Sequence, residues 1–365
     1  MMKREKGNTL SRAPKPQESG FRLPAEWEPH EATWIAWPHN KSDWPGKFAP
    51  IPWVYGEIIR KLIPFEKVRI IVESVEGENK VRKLLKRVGV DLSCVEFFHF
   101  PTDRIWIRDY GPIFLKTTGD PSEMAIVRFH FNAWAKYKDW QNDNAIPVRI
   151  GNTLGYKIFP ALFHEKEIVL EGGAIDHNGL GSLLTTEECL LDLDCQARNP
   201  DFDRKTLEKI FKEYLGISNV LWLGRGLSGD DTHGHVDDFC RFVNHNTVIL
   251  CQEDNPEDDN YLPLKENRER LQGLRLQDGA KIEIIPLPMP EPLYFDGRRL
   301  PASYANFFIG NGVVLVPTFN DPRDRTALGI LSELFPDKGV VGINATDLVW
   351  GLGTIHCLTQ QQPRI

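Results

Sequence analysis

Four short segments place ionisable or nucleophilic side chains inside apolar surroundings. In Asp103-Arg104-Ile105-Trp106-Ile107-Arg108-Asp109-Tyr110-Gly111-Pro112 the alternation predicts an extended chain. It puts Ile105, Ile107 and Asp109 on one face and Trp106 and Arg108 on the other, with Asp109 at the strand end before a Gly-Pro break. Read as an extended chain, Gly229-Asp230-Asp231-Thr232-His233-Gly234-His235-Val236-Asp237-Asp238 points His233, His235 and Asp237 to one side. Such a trio fits a hydrolytic metal. A metal would need further ligands, and the remaining histidines are scattered; the competing reading is acid/base work in which His235 moves protons and Asp237 holds a cation. Leu170-Glu171-Gly172-Gly173 ends an apolar run with a carboxylate and two glycines that permit close backbone approach. Finally, Cys357 follows the glycine-rich turn Gly351-Leu352-Gly353-Thr354-Ile355-His356. Backbone N–H groups left free there would suit a nucleophile and a developing anion.

Read singly, each segment has an ordinary explanation. Arg108 and Asp109 would be a surface pair, Glu171 a strand-end turn, and Cys357 a buried free thiol, the commonest state of cysteine. Together they carry more carboxylates (Asp109, Glu171, Asp231, Asp237) than bases. Such a site calls for a cation, and two carboxylates match the planar five-donor guanidinium. A guanidinium held in that way meets a thiolate at close range. Its charge also favours the thiolate over a thiol of ordinary pKa ~8.5.

The elements that must carry these groups alternate. Helical periodicity covers Val54–Ile63, Glu78–Val88, Asp203–Leu215, about Leu264–Leu274 and about Arg325–Phe335. Strand-like runs are Thr33–Trp37, Val68–Val72, Ile168–Leu170, Val220–Leu223, Val248–Cys251, Ile282–Pro286, Val313–Pro317 and Val340–Ile343. The rhythm of a few short strands and one helix recurs about five times, without a sequence repeat behind it. Glu253–Asn260 reads as a surface loop and Pro286–Leu300 as a long, proline-rich connection. No linker composition divides the chain after residue 20. The expectation is therefore a flexible leader over 1–20 and a single α/β domain over 21–365.

The 365 residues carry 44 Lys+Arg and 51 Asp+Glu, a net charge of −7, with 41% hydrophobic and 26% charged residues. That mix suits a globular chain, and the acidic balance argues against a nucleic-acid partner. The longest apolar runs fall far short of the ~20 residues a membrane span needs. The basic start of the chain (Lys3, Arg4, Lys6, Arg12, Lys15) lacks the apolar core of a secretory signal. The six scattered cysteines then read as reduced thiols in the cytoplasm.

A longer set of motifs resembles the agmatine deiminase / bacterial-type peptidylarginine deiminase family of the guanidino-group-modifying superfamily. These are GFRLPAEWEPH (20–30), WIAWP (34–38), WIRDYGP (106–112), FNAW (131–134), LEGG (170–173), LLTTEECLL (183–191), DDTHGHVD (230–237), ASYANF (302–307) and IHCLTQQQP (355–363). The resemblance implies a five-bladed α/β propeller (pentein) with pseudo-fivefold symmetry and an active site in its central channel. It implies hydrolysis of agmatine to N-carbamoylputrescine and ammonia, without metal or cofactor. In those roles Cys357 forms an amidino intermediate, His235 moves protons, Asp109 and Asp237 hold the guanidinium, and Glu171 supports His235. Trp106 walls the channel, and Asp231 joins the substrate-binding set. The resemblance allows a homodimer. Tyr110 and His233 depart from the family's usual Cys and Asn, and 135–140 replaces a glycine-rich segment. These departures leave free or peptidyl arginine as the alternative substrate. A zinc hydrolase on His233, His235 and Asp237, or a non-catalytic binding propeller, are the remote alternatives.

Overall fold

The strongest apolar runs are middle strands of small sheets, and one connection rule repeats five times. The structure is a computed structural model that describes residues 14–119 and 121–365. Among them, five sheets share a plan in which a short first strand lies antiparallel to a buried second strand. The second strand lies parallel to the next. The first sheet uses Ile113–Thr117, Met124–Arg128 and Lys157–Pro160, and the second Asp176–His177, Ser182–Thr186 and Asn219–Leu223. The third uses Cys240–Phe242, Thr247–Gln252 and Glu283–Pro288, and the fourth Phe308–Ile309, Val313–Thr318 and Gly339–Asn344. The fifth joins the two ends of the chain. Gln360–Pro363 pairs antiparallel with His30–Ala36, which is followed in parallel by Lys67–Val72 and Val95–His99. These are the five blades of an α/β propeller.

A parallel pair cannot be joined by a hairpin, so each needs a crossover. The helices Ile51–Leu62, Ile146–Leu154, Arg204–Leu215, Tyr261–Gly273 and Arg323–Leu334 supply one crossover per blade, and Val75–Arg87 supplies the sixth, between Lys67–Val72 and Val95–His99. Arg204–Leu215 shows why such a segment is helical. Asp203 accepts a hydrogen bond from Thr206 N, and Leu207, Ile210, Phe211, Tyr214 and Leu215 make one buried stripe. Gly216 then ends the helix with φ 73°.

The structure corrects several local expectations. Asp103–Pro112 is not a strand: it ends in the one-turn helix Ile107–Tyr110, whose four side chains are all buried. With no solvent side, alternation had nothing to sort. The turn packs so tightly against Gly172 that a Cβ there would meet Arg108 O. Ile168–Leu170 forms no ladder, only a parallel bridge between His130 and Val169. Pro286–Leu300 is partly regular, because its strand runs to Pro288 and a hairpin pairs Tyr294–Phe295 with Arg298–Arg299. Of the 1–20 leader, residues 1–13 lie outside the described residues. Gln17–Ser19 form a short 3-10 turn, and Lys15 Nζ donates to the carbonyl of Leu162.

Candidate active site

The loop leading into the first strand of every blade carries a polar side chain to one place. Asp109 precedes Ile113, Glu171 precedes Asp176, and His235, Asp237 and Asp238 precede Cys240. Asn306 precedes Phe308, and Cys357 precedes Gln360. Their convergence is visible at Gly173. A Cβ on this glycine would lie 2.6 Å from His235 Nδ1, 2.7 Å from Asp109 Oδ1 and 3.2 Å from Asp237 Oδ1. Only glycine fits there, and its N–H donates to Asp109 Oδ1 at 3.1 Å. On the other side of the site a Cβ on Gly353 would lie 2.8 Å from the Trp106 ring and 3.1 Å from Cys357 Cβ.

Asn306 organises the thiol. Its Oδ1 accepts from Thr354 Oγ1 at 2.7 Å and from His356 N at 3.0 Å, and its Nδ2 lies 3.1 Å from Cys357 Sγ. The same Nδ2 donates to Asp238 Oδ1 at 3.0 Å. This corrects the expectation of free backbone donors: the N–H groups of His356 and Cys357 are both turned towards Asn306. Burial first, and then the charges of Asp237, Asp238 and Asp109, push the Cys357 thiol well above its ordinary range. Without a cation in the site the sulfur therefore keeps its proton.

The acids differ in how the protein treats them. Glu171 is fully buried and accepts from Arg198 Nε at 3.1 Å. Burial raises its carboxyl, but the charge of Arg198 and the nearby His235 bring it down to about 2. Asp109 accepts from Trp134 Nε1 at 2.9 Å and has no arginine or lysine partner among the described residues. Burial lifts it to about 6, with Asp237 and Glu171 adding to the rise and His235 opposing it. Asp237 is held down despite burial because His356 Nδ1 sits 2.6 Å from its Oδ2. The other ring nitrogen of His356 is 2.8 Å from Glu26 Oε2, and Glu26 accepts from Arg241 Nη2 at 2.9 Å. Asp238, buried beside Asp237 and Asp230, is pushed well above the carboxylate range.

His235 lies between two of these acids, with Nδ1 3.6 Å from Asp109 Oδ1 and Nε2 3.9 Å from Glu171 Oε2. Burial works against its charge, yet Asp109, the Cys189 thiol and Glu171 raise it well above its ordinary range, which favours the imidazolium. Both ring nitrogens, Glu171 Oε2 and Asp237 Oδ1 are buried with no hydrogen-bond partner among the described residues. Buried polar atoms are normally satisfied, so the two carboxylate oxygens await N–H donors, while the protonated ring awaits an acceptor such as a departing nitrogen or a water.

The cavity above the thiol has a volume of about 270 Å³ and is lined by Asp43, Arg104, Trp106, Asp109, Trp134, Asp231 and Cys357, among others. Trp106 is part of that lining. Asp231 also lines it, but already accepts from Lys136 Nζ at 2.7 Å, Tyr137 Oη at 2.7 Å and Arg298 Nη2 at 2.5 Å. It braces the wall and is not free for a cation.

His233 is not on the face of His235. Its backbone has φ 65° and its Nε2 is 2.8 Å from Asp192 Oδ2. The set His233, His235 and Asp237 therefore does not converge on a metal. Two other groups bring three ligand atoms within 4.8 Å of one another: Glu171, Cys189 and His235, and Asp237, Asp238 and Cys357. In each, one oxygen of a carboxylate is already held, by Arg198 or by His356, and the other is unpartnered. Sequence reasoning assigned no role to Asn306, Trp134, Arg198, His356 or Glu26. The signal for Asn306 was positional: it stands in the fourth blade where the other four carry Asp109, Glu171, His235 and Cys357.

Comparison with known proteins agrees with this geometry. The family described as Porphyromonas-type peptidyl-arginine deiminase matches residues 22–363. The agmatine deiminase of Pseudomonas aeruginosa (strain LESB58) is 34% identical over 371 residues, covering 95% of this chain and 97% of its own. Among solved structures, the agmatine deiminase of Enterococcus faecalis superposes with a TM-score of 0.87 at 28% identity, covering 96% of this chain and 98% of its own. A cysteine-to-serine variant of the C. jejuni agmatine deiminase with substrate bound gives 0.82 at 31% identity, over 94% and 96%.

Proposed function

Because the chain belongs to the Porphyromonas-type peptidyl-arginine deiminase family, we propose that it hydrolyses agmatine to N-carbamoylputrescine and ammonia through an amidino intermediate on Cys357. The observation that carries the reading is the pairing of a thiol, Asp109 and unpartnered Asp237 Oδ1 around the imidazolium of His235. The guanidinium lies between Asp109 and Asp237, and its charge offsets the field that keeps Cys357 protonated. The thiol proton leaves to solvent and Sγ bonds to the guanidinium carbon. His235 donates its proton to one nitrogen, which departs as ammonia and leaves a thiouronium on sulfur. The now neutral His235 takes a proton from water, whose oxygen adds to the same carbon. The C–S bond breaks, the ureido product and thiolate separate, and the second water proton goes to ammonia.

Deimination of free arginine would need an unpaired cation for the α-carboxylate. At the mouth, Lys136 and Arg298 are tied to Asp231, and Arg104 to Asp43 and Asp139. The same reading treats 21–365 as one catalytic domain. It places the enzyme in the cytoplasm, supported by Cys94, Cys189, Cys195, Cys240, Cys251 and Cys357 all being free. No helix among the described residues is long and apolar enough to cross a membrane. The test is ammonia release from agmatine, free arginine and a blocked peptidyl arginine, each with and without Cys357→Ser. Release from agmatine that needs the thiol is expected. Release that survives the substitution, or none from agmatine, overturns the reading.

A further inference from the structure

Besides Asp109, two aspartates line the cavity, and they are in opposite states. Asp231 has three donors, as described above. Asp43 ends the short turn Lys41–Asp43, which Asn40 holds by accepting from Ser42 N at 3.0 Å. Its side chain is 1% exposed, and Oδ1 accepts from Arg104 Nη1 at 2.7 Å. Oδ2 is buried and has no partner among the described residues. Burial, together with repulsion from Asp139 and against the pull of Arg104, lifts this carboxyl to about 7. Half of a carboxylate is thus left unused in the wall of the cavity that reaches Cys357.

The surroundings define what would use it. Trp106, Trp134, Tyr137 and Trp350 line the same cavity and present apolar walls suited to a methylene chain. Arg104 cannot serve as a competing anion site, because Asp43 and Asp139 both hold it. A ligand group that satisfies Oδ2 must donate hydrogen bonds and tolerate, or supply, positive charge.

We propose that Asp43 anchors the primary ammonium at the far end of an alkylguanidine substrate, and so selects a chain ending in an amine over one ending in a methyl or a carboxylate. The inference rests on the agmatine reading and adds to it the group that recognises the tail. The anchor acts at the end of the substrate remote from the sulfur. It governs which guanidine is held, while Asp109 and Asp237 govern the reacting group common to all of them.

The experiment compares kcat and KM for agmatine and butylguanidine, which has a methyl in place of the ammonium, in the wild type and in Asp43→Asn. The wild type is expected to favour agmatine by about tenfold or more in kcat/KM, as a charge-assisted hydrogen bond would give. Asp43→Asn is expected to erase that preference through the agmatine KM, with butylguanidine affected far less. An unchanged preference in the variant, or equal losses on both substrates, overturns the anchor while leaving the reaction intact. Wild-type protein that turns over neither guanidine overturns the reaction reading, and the anchor with it. Should Asp43→Asn fail to fold, Asp43→Glu and a series of ω-aminoalkylguanidines decide. The longer acid is expected to move the preferred chain one methylene shorter, and an unmoved optimum overturns the proposal.

Discussion

Glu171 and Asp109 flank the same imidazole, both fully desolvated, and end in opposite conditions. Glu171 is held at about 2 and Asp109 is lifted to about 6. The difference is Arg198, a permanent counterion on one side that has no equivalent on the other. The contrast extends to the whole centre. Behind His235 the protein supplies counter-charge of its own, Arg198 to one oxygen of Glu171 and the chain His356, Glu26 and Arg241 to one oxygen of Asp237. Towards the cavity it leaves Asp109, Cys357 and Asp43 incompletely matched. One region is finished by folding and the other by the substrate. Unmatched groups are costly to a fold, and active sites are where such cost is retained.

Four changes test that division. Cys357→Ser, on the open side, should lower ammonia release by about 10⁴ or more while the thermal melt stays near that of the wild type. A parallel loss of stability would show that the open side also holds the fold. Arg198→Met, on the finished side, should strand the Glu171 charge and cost about 3–5 kcal/mol of stability, read by urea denaturation. A variant as stable as the wild type would erase the contrast. In pH profiles with an alkylguanidine lacking the ammonium tail, the acid limb of kcat/KM that the Cys357 thiol sets should steepen by a further factor of about ten per pH unit below about 6. There Asp109 gains a proton and can no longer bind the cation. Glu171 should contribute no limb in that range, because its carboxyl is already ionised far below it. The smallest effect is expected for His233→Asn, whose ring meets Asp192 outside the site. Its kcat/KM should stay within about twofold; a shifted pH profile would place His233 inside the proton machinery.

Much of this was legible in residue types and little of it in local geometry. Asp109, Glu171, His235, Asp237 and Cys357 announce themselves because polar groups stand where the neighbours are apolar. Four helices are recognisable by their apolar period but begin two or three residues before it: Ile51, Val75, Tyr261 and Arg323 start helices expected at Val54, Glu78, about Leu264 and about Arg325. Arg204, by contrast, follows the expected Asp203 by one, and Ile146–Leu154 had no expectation. The first turn of a helix is set by capping and by Pro52 or Ser74, and the apolar period begins only where the core does. The one-turn helix Ile107–Tyr110 was read as a strand because a single turn has no period of its own and exists through its neighbours. His233 and His235 share a face only in an extended chain, and φ 65° at His233 with φ 91° at Gly234 breaks that premise. Asn306 carries no motif chemistry. It becomes visible once the five first strands are aligned, which needs the fold.

The pairing of Gln360–Pro363 with His30–Ala36 has a consequence in time. Cys357 stands three positions before the strand that latches the two ends of the chain together, and Arg364 N reaches back to Pro29 O at 2.8 Å. The nucleophile is thus set in place by the contact of longest sequence separation, the kind that forms late because loop closure must precede it. The same closing segment carries His356, which holds Asp237, and Cys357 O, which accepts from Arg108 N beside Asp109. Reactivity and ring closure arrive in the same event.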